Sequence, residues 1–183
     1  MTQDKKDRYE IRYAAVGGQG IITAGALLVD IAVTMENKHA VESPTYTASV
    51  RGGPTKVDII ISERKVLFPQ TYSIDFFVCT DQRPFDLYKS RLRDDSIVIV
   101  DSHLVKKLGD TRDWTLYRLR VINETKKQLG NVVLTSVVTL SMTQKLTGII
   151  QYDNMLRFVK KWAPSDYLDL NIQAVQLGQD LLA

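Results

Sequence analysis

Cysteine is nearly absent from this sequence: Cys79 is the only one among 183 residues. A lone thiol excludes an internal disulfide framework, and it excludes zinc or iron–sulfur centres held by the chain's own thiolates, which need several ligands. Because Cys79 ends the apolar run IDFFVC, it reads as a small buried hydrophobe. Histidine is as scarce. His39 and His103 are too far apart in pattern for a metal site and lack a nearby nucleophile, so both read as structural or solvated. No segment offers about 18 uninterrupted apolar residues, and the opening MTQDKKDRYE has no apolar core of signal-peptide length. A cytoplasmic protein is expected. A dominant charge is also missing: 24 basic and 21 acidic side chains are interspersed and leave a formal net charge of +3. Nothing there concentrates a field for a nucleic-acid backbone.

What remains is an ordinary globular composition, 44% hydrophobic and 25% charged, expected to form one domain over residues 1–183. YEIRYAAV (9–16) reads as a strand, AVGGQG as a glycine turn, and IITAGALLVDIAVTM (21–35) as a helix. That helix is apolar almost all round, so it belongs between a sheet and another layer or another subunit. Further strands are expected at 39–43, 56–62, 74–80, 96–102 and 114–121, with a helix in DQRPFDLYKSRLR (81–93). Several strands are dense in Val and Ile without alternation, as in a sheet covered on both faces. From Asn123 onward the period is helical: one helix from about Val132 closed by Gly148, a second over Gln151–Trp162, and a third to Leu182 beyond the break at Pro164. The expectation is a three-layer α/β domain with a largely buried mixed or parallel sheet, a Rossmann-like start and a helical C-terminal part.

A glycine-rich turn between a strand and a helix N-terminus exposes backbone N–H groups beside the positive end of the helix dipole, and so can bind an anion. Its other reading is a tight crossover whose glycines only permit close packing. Aligned on the dinucleotide fingerprint G-x-G-x-x-G, the loop has Ala15 in place of the first glycine, with Gly17 and Gly20 following. Glu42 stands about where a ribose-binding acid would, which keeps an NAD-binding reading open. A P-loop is excluded because no Lys-Ser or Lys-Thr follows. Aspartates at strand ends, Asp75, Asp81 and Asp101, more often cap the next helix than carry chemistry. A second loop, Arg51-Gly52-Gly53-Pro54, pairs a planar guanidinium with exposed glycine N–H groups, which suits a phosphate or carboxylate. The alternative is an arginine solvated in a turn.

Taken together, GGQGI-x-x-AG after the first strand and Tyr46-x(4)-Arg51-Gly52-Gly53 leading into V-x-I-x-I-S resemble the gamma subunit of 2-oxoacid:ferredoxin oxidoreductases, equivalent to the gamma-type domain of pyruvate:ferredoxin oxidoreductase. The likeness continues in order through Phe68-Pro69, Ile74-Asp75, Leu129-Gly130-Asn131, Leu146-Thr147-Gly148 and Asn171-x-x-Ala174-x-x-x-Gly178. The chain departs from the usual pattern at Ala15, Thr45, Thr47, Ser49 and Ser136.

The resemblance implies oxidative decarboxylation of a 2-oxoacid to an acyl-CoA by a multi-subunit enzyme. Thiamine diphosphate, Mg2+ and iron–sulfur clusters would sit on partner subunits, and ferredoxin or an NAD-reducing subunit would accept the electrons. This chain would contribute to the coenzyme A site and to assembly. Gly17, Gly18, Gln19 and Gly20 would hold coenzyme phosphates, and Tyr46 stands in the second loop. Arg51 would either neutralise a phosphate or fix the loop against a neighbouring subunit. Asn131 would either cap its helix or touch the nucleotide. The apolar helix at 21–35 and the helical tail would present surfaces for obligate partners. Two other classes stay open on the residues alone: a free-standing NAD-binding dehydrogenase, for which the chain is short, and a nucleotide-binding regulatory module.

Overall fold

A computed structural model of the chain describes residues 7–45, 52–111 and 113–183. Six strands form one sheet: β1 (Arg8–Val16), β2 (His39–Thr45), β3 (Pro54–Ser62), β4 (Ile74–Cys79), β5 (Leu92–Asp101) and β6 (Thr115–Leu119). Their order is β2-β3-β1-β4-β5-β6. β1, β4, β5 and β6 are mutually parallel, whereas β3 is antiparallel to both of its neighbours. The sheet is therefore mixed. The short connection from β2 to β3 can only reverse the chain, while the helical connections after β1 and β4 permit parallel returns.

One face carries α1 (Ile21–Thr34) and, around it, α3 (Val121–Leu129), α4 (Thr135–Thr147), α5 (Tyr152–Trp162) and α6 (Leu168–Asp180). Ile11, Tyr13, Ile59, Phe76 and Val78 point into this layer against Leu27, Leu28, Ile31 and Val138. Each such side chain, wholly removed from water, contributes about 2 kcal/mol before entropy is counted. Alternate residues of the same strands, Ala14, Phe77, Val98 and Val100, face the other way. They pack on Phe85 of α2 (Gln82–Tyr88) and on Val105. These layers explain the unbroken Val and Ile runs: both faces of the central strands are covered.

α1 lies between the sheet and α4, so most of its apolar circumference is covered within the chain. Val33, near its C-terminal end, remains 46% exposed. The large apolar side chains most exposed to water lie in the segment after β3: Leu67 and Phe68, 73% and 71% exposed.

Two boundaries also differ from expectation. The helix expected through Arg93 ends at Tyr88, and β5 begins at Leu92. The Arg12 guanidinium donates to the carbonyls of Tyr88 (2.8 Å) and Ser90 (3.1 Å), drawing the helix end onto the sheet, and Arg91 turns the chain at φ 73°. The helix expected from Val132 starts as a 3-10 turn, Val132–Leu134, before α4 proper. Gly148 (φ 59°) closes α4, and the chain breaks at Pro164 before the turn Ser165–Tyr167 and α6, both as expected. Among the described residues no helix is long and apolar enough to cross a membrane.

Candidate functional site

β1 and β4 are adjacent and parallel, with Ala14 opposite Cys79, so their carboxyl ends open on the same rim of the sheet. The helix after β1 packs on one face and the helix after β4 on the other. Where successive connections part in this way, a crevice forms above the strand ends, the usual binding position in an open α/β sheet. The loop Gly17–Gly20 lies there.

The loop is clamped at three points. The Gly17 N–H donates to the Gly53 carbonyl (3.0 Å), joining the glycine turn to the chain entering β3. The hydroxyl of Thr80, at the end of β4, donates to Oε1 of Gln19. Gly20 adopts φ 73° at the start of α1 and abuts the 3-10 turn: a Cβ there would lie 2.5 Å from the Val133 carbonyl oxygen and 3.2 Å from Cβ of Ser136. Asn131 holds that turn through Oδ1, which accepts from the Val133 N–H (3.0 Å), while the Ser136 hydroxyl donates to the Val133 carbonyl (2.9 Å). Gly18 is the open position, with φ 98° and nothing within 4 Å of a Cβ built on it. Gly17 and Gly18 are exposed, and Gln19 and Gly20 half-buried.

The structure thus brings together Gly17, Gly18, Gln19, Gly20 and, through Val133, Asn131. Tyr46 and Arg51 lie outside the described residues. Thr80 and the Val133 carbonyl join the site without a signal in the sequence pattern that would have found them as neighbours of the loop, and Ser136, one of the positions that depart from the family pattern, joins them. Thr80 follows an apolar strand, and its only mark is a small hydroxyl where the run stops.

The ionisable groups of this rim are engaged locally. Asp81 caps α2, accepting from the Arg83 N–H (3.1 Å). Asp101 accepts from the N–H groups of His103, Leu104 and Ile122, so its carboxylate organises the chain beyond β5. Asp75 sits at the opposite end of β4 and accepts from the Glu10 N–H (2.8 Å). His39 and His103 are exposed. Cys79 is wholly buried, and burial pushes its thiol up to about 12. Among the described residues no group of three or more His, Cys, Asp or Glu is arranged to hold a metal ion. The arrangement offers backbone donors, one amide and a helix N-terminus, which are the means of binding an anion.

Glu42 does not stand where a ribose-binding acid would. It pairs with Ile59 midway along the strands, level with Ile11, whereas the glycine loop follows Val16, level with Pro54. Five residues of strand separate the two levels, about 17 Å. The Glu42 carboxylate instead faces α1, with Oε2 3.2 Å from a Cβ built on Gly25. Burial, and next the nearby Asp30, raise its pKa.

Residues 10–181 match the family model described as pyruvate ferredoxin/flavodoxin oxidoreductase. The chain is 30% identical over 178 residues to the 2-oxoglutarate synthase subunit KorC of Methanocaldococcus jannaschii, covering 96% of this chain and 95% of that one. It superposes with a TM-score of 0.86 on the gamma subunit of a keto/oxoacid ferredoxin oxidoreductase from Geobacter sulfurreducens, at 31% identity, over 96% of this chain and 97% of that one. A 2-oxoglutarate:ferredoxin oxidoreductase from Magnetococcus marinus, whose structure holds 2-oxoglutarate, coenzyme A and succinyl-CoA, shares the fold (TM-score 0.83, 18% identity). There the match covers 97% of this chain but 31% of the other.

Proposed function

Because the chain belongs to the pyruvate ferredoxin/flavodoxin oxidoreductase family, we propose that it supplies part of the coenzyme A site of a multi-subunit 2-oxoacid oxidoreductase. Residues 1–183 act in this reading as one gamma-type domain. The assembly converts a 2-oxoacid and coenzyme A to an acyl-CoA and carbon dioxide, passing two electrons to ferredoxin or to an NAD-reducing subunit. Since 2-oxoglutarate synthase subunits from three archaea align over 96% of this chain, 2-oxoglutarate is the substrate to try first. The assembly acts in the cytoplasm in this reading.

The observation that supports the coenzyme reading is Gly18: an exposed backbone at a helix N-terminus, held open by contacts on either side. A diphosphate can approach such a backbone because no side chain intervenes, and the helix dipole favours its charge. Gly17, Gly18, Gln19 and Gly20 would hold the phosphates, and Tyr46 and Arg51 are assigned to the same coenzyme in this reading. Asn131 would act through the turn it caps. Thiamine diphosphate, Mg2+ and iron–sulfur clusters belong to partner subunits in this reading, since one cysteine cannot ligate a cluster.

The test is to isolate the tagged chain from its host without oxygen and measure the complex by native mass spectrometry, with iron and thiamine diphosphate analysis. Iron, thiamine diphosphate and two or more partner subunits are expected. A lone, iron-free chain that binds NAD would overturn the reading.

A further inference from the structure

Gln19 can serve an incoming anion only if its amide is turned the right way, and one residue decides that. We propose that Thr80 is a positioning residue for coenzyme binding: by donating to Oε1 of Gln19, it ties the carbonyl end of the amide to the sheet and turns the NH2 end away from β4. The proposal rests on the reading of the glycine loop as the coenzyme A site.

Thr80 is well placed for the task. It is wholly buried, and its N–H donates to the Ala14 carbonyl (3.2 Å), so the β1–β4 pairing fixes its backbone. Buried threonines elsewhere use their hydroxyls differently: Thr143 donates to the Thr139 carbonyl on the preceding turn of its own helix, and Thr125, Thr135 and Thr139 have no partner for theirs among the described residues. Thr80 instead reaches a side chain on a loop 61 residues earlier. A primary amide presents an acceptor at one end and two donors at the other, and an anion discriminates between them completely. Without the Thr80 hydroxyl the amide can rotate, and half of its orientations offer oxygen to the phosphate. Preorganisation of a donor, more than its presence, is what the hydroxyl provides.

The experiment uses the assembled complex and coenzyme A as titrant in isothermal calorimetry, so that no 2-oxoacid turnover is needed. Thr80→Val keeps the shape and removes the hydroxyl; the expected result is a Kd for coenzyme A about tenfold weaker, the scale of one charge-assisted hydrogen bond. Thr80→Ser is expected to bind like the unaltered complex. Gln19→Ala should weaken binding to a similar degree, and adding Thr80→Val to it should change nothing more, because Thr80 acts only through Gln19. A purely structural threonine would give additive losses instead. If Gln19→Ala weakens binding while Thr80→Val is silent or additive, the Thr80 proposal is wrong and the coenzyme reading stands. If Gln19→Ala and Gly18→Asp are both silent, the coenzyme reading itself fails. Should valine prevent assembly, Thr80→Ala against Thr80→Ser supplies the same contrast, since those two differ by the hydroxyl alone.

Discussion

The carbonyl oxygen of Val133 lies 2.5 Å from where a Cβ on Gly20 would stand, so the start of α1 and the turn before α4 meet backbone to backbone. No side chain fits between them. Gly20 also adopts φ 73°, and a left-handed conformation costs other residues about 1–2 kcal/mol. Gly20→Ala adds the clash to that strain, and we expect a loss of about 3 kcal/mol in denaturant unfolding. Gly18→Ala, with a similar φ but open space, should lose only about 1 kcal/mol. Equal losses for the two variants would mean that the Val133 contact is not rigid.

Charge at Gly18 tests the loop's electrostatics separately from its shape. Asn and Asp both tolerate positive φ better than other side chains, so Gly18→Asn reports the steric effect and Gly18→Asp adds a carboxylate. Coenzyme A affinity of the complex should fall at least tenfold further for Asp than for Asn, and the difference should shrink in high salt. Identical affinities would show that no anion approaches this position.

On the other face of the sheet, Arg12 and Asp58 form a two-pronged ion pair at 2.6 and 3.0 Å, with Lys56 and Thr71 also on the Asp58 carboxylate. Burial alone would raise the pKa of Asp58, but hydrogen bonds and charge from Arg12 and Lys56 outweigh it and hold the carboxyl below its ordinary value. A group depressed in the folded state stabilises the fold above its unfolded pKa, about 3.9, and loses that contribution as pH falls through the lower, folded value. Asp58→Asn strands Arg12, which is 4% exposed, and should cost about 3–5 kcal/mol near neutral pH. Urea unfolding from pH 6 to pH 3 should also show a shallower acid decline for the variant. Parallel declines would remove Asp58 as a source of the acid sensitivity.

Cys79 should be inert. With its thiol raised to about 12 by burial, roughly one molecule in 10^4 carries a thiolate at pH 8. Iodoacetamide should label it only after denaturation, as read by intact mass. Rapid labelling of the native protein would mean that the β4 end opens to solvent.

The glycine loop, the helix after it and the capping aspartate before α2 were legible because each is local: its cause lies within a few residues of chain. The sheet was legible as buried, with mixed and parallel both left open, since β1 and β3 are both dense in apolar residues and composition carries no direction. Thr80 and Val133 escaped because their meaning is a contact far along the chain, without period or motif. Asn131 was left between cap and ligand, and the cap is formed. Glu42 misled because the spacing of a fingerprint ignores strand register, which sets it five residues below the loop.

That same glutamate has a use of its own. β2 ends the sheet, and a terminal strand is an invitation for another chain to add itself edgewise. Glu42 points a carboxylate inward from that strand, its Oε2 buried without a hydrogen-bond partner among the described residues, and Pro44 removes a donor two residues on. A foreign strand docking there would seal the charge more deeply from water. An edge guarded in this way keeps the sheet from growing, and the guard weakens when Glu42, whose pKa burial raises, takes up a proton.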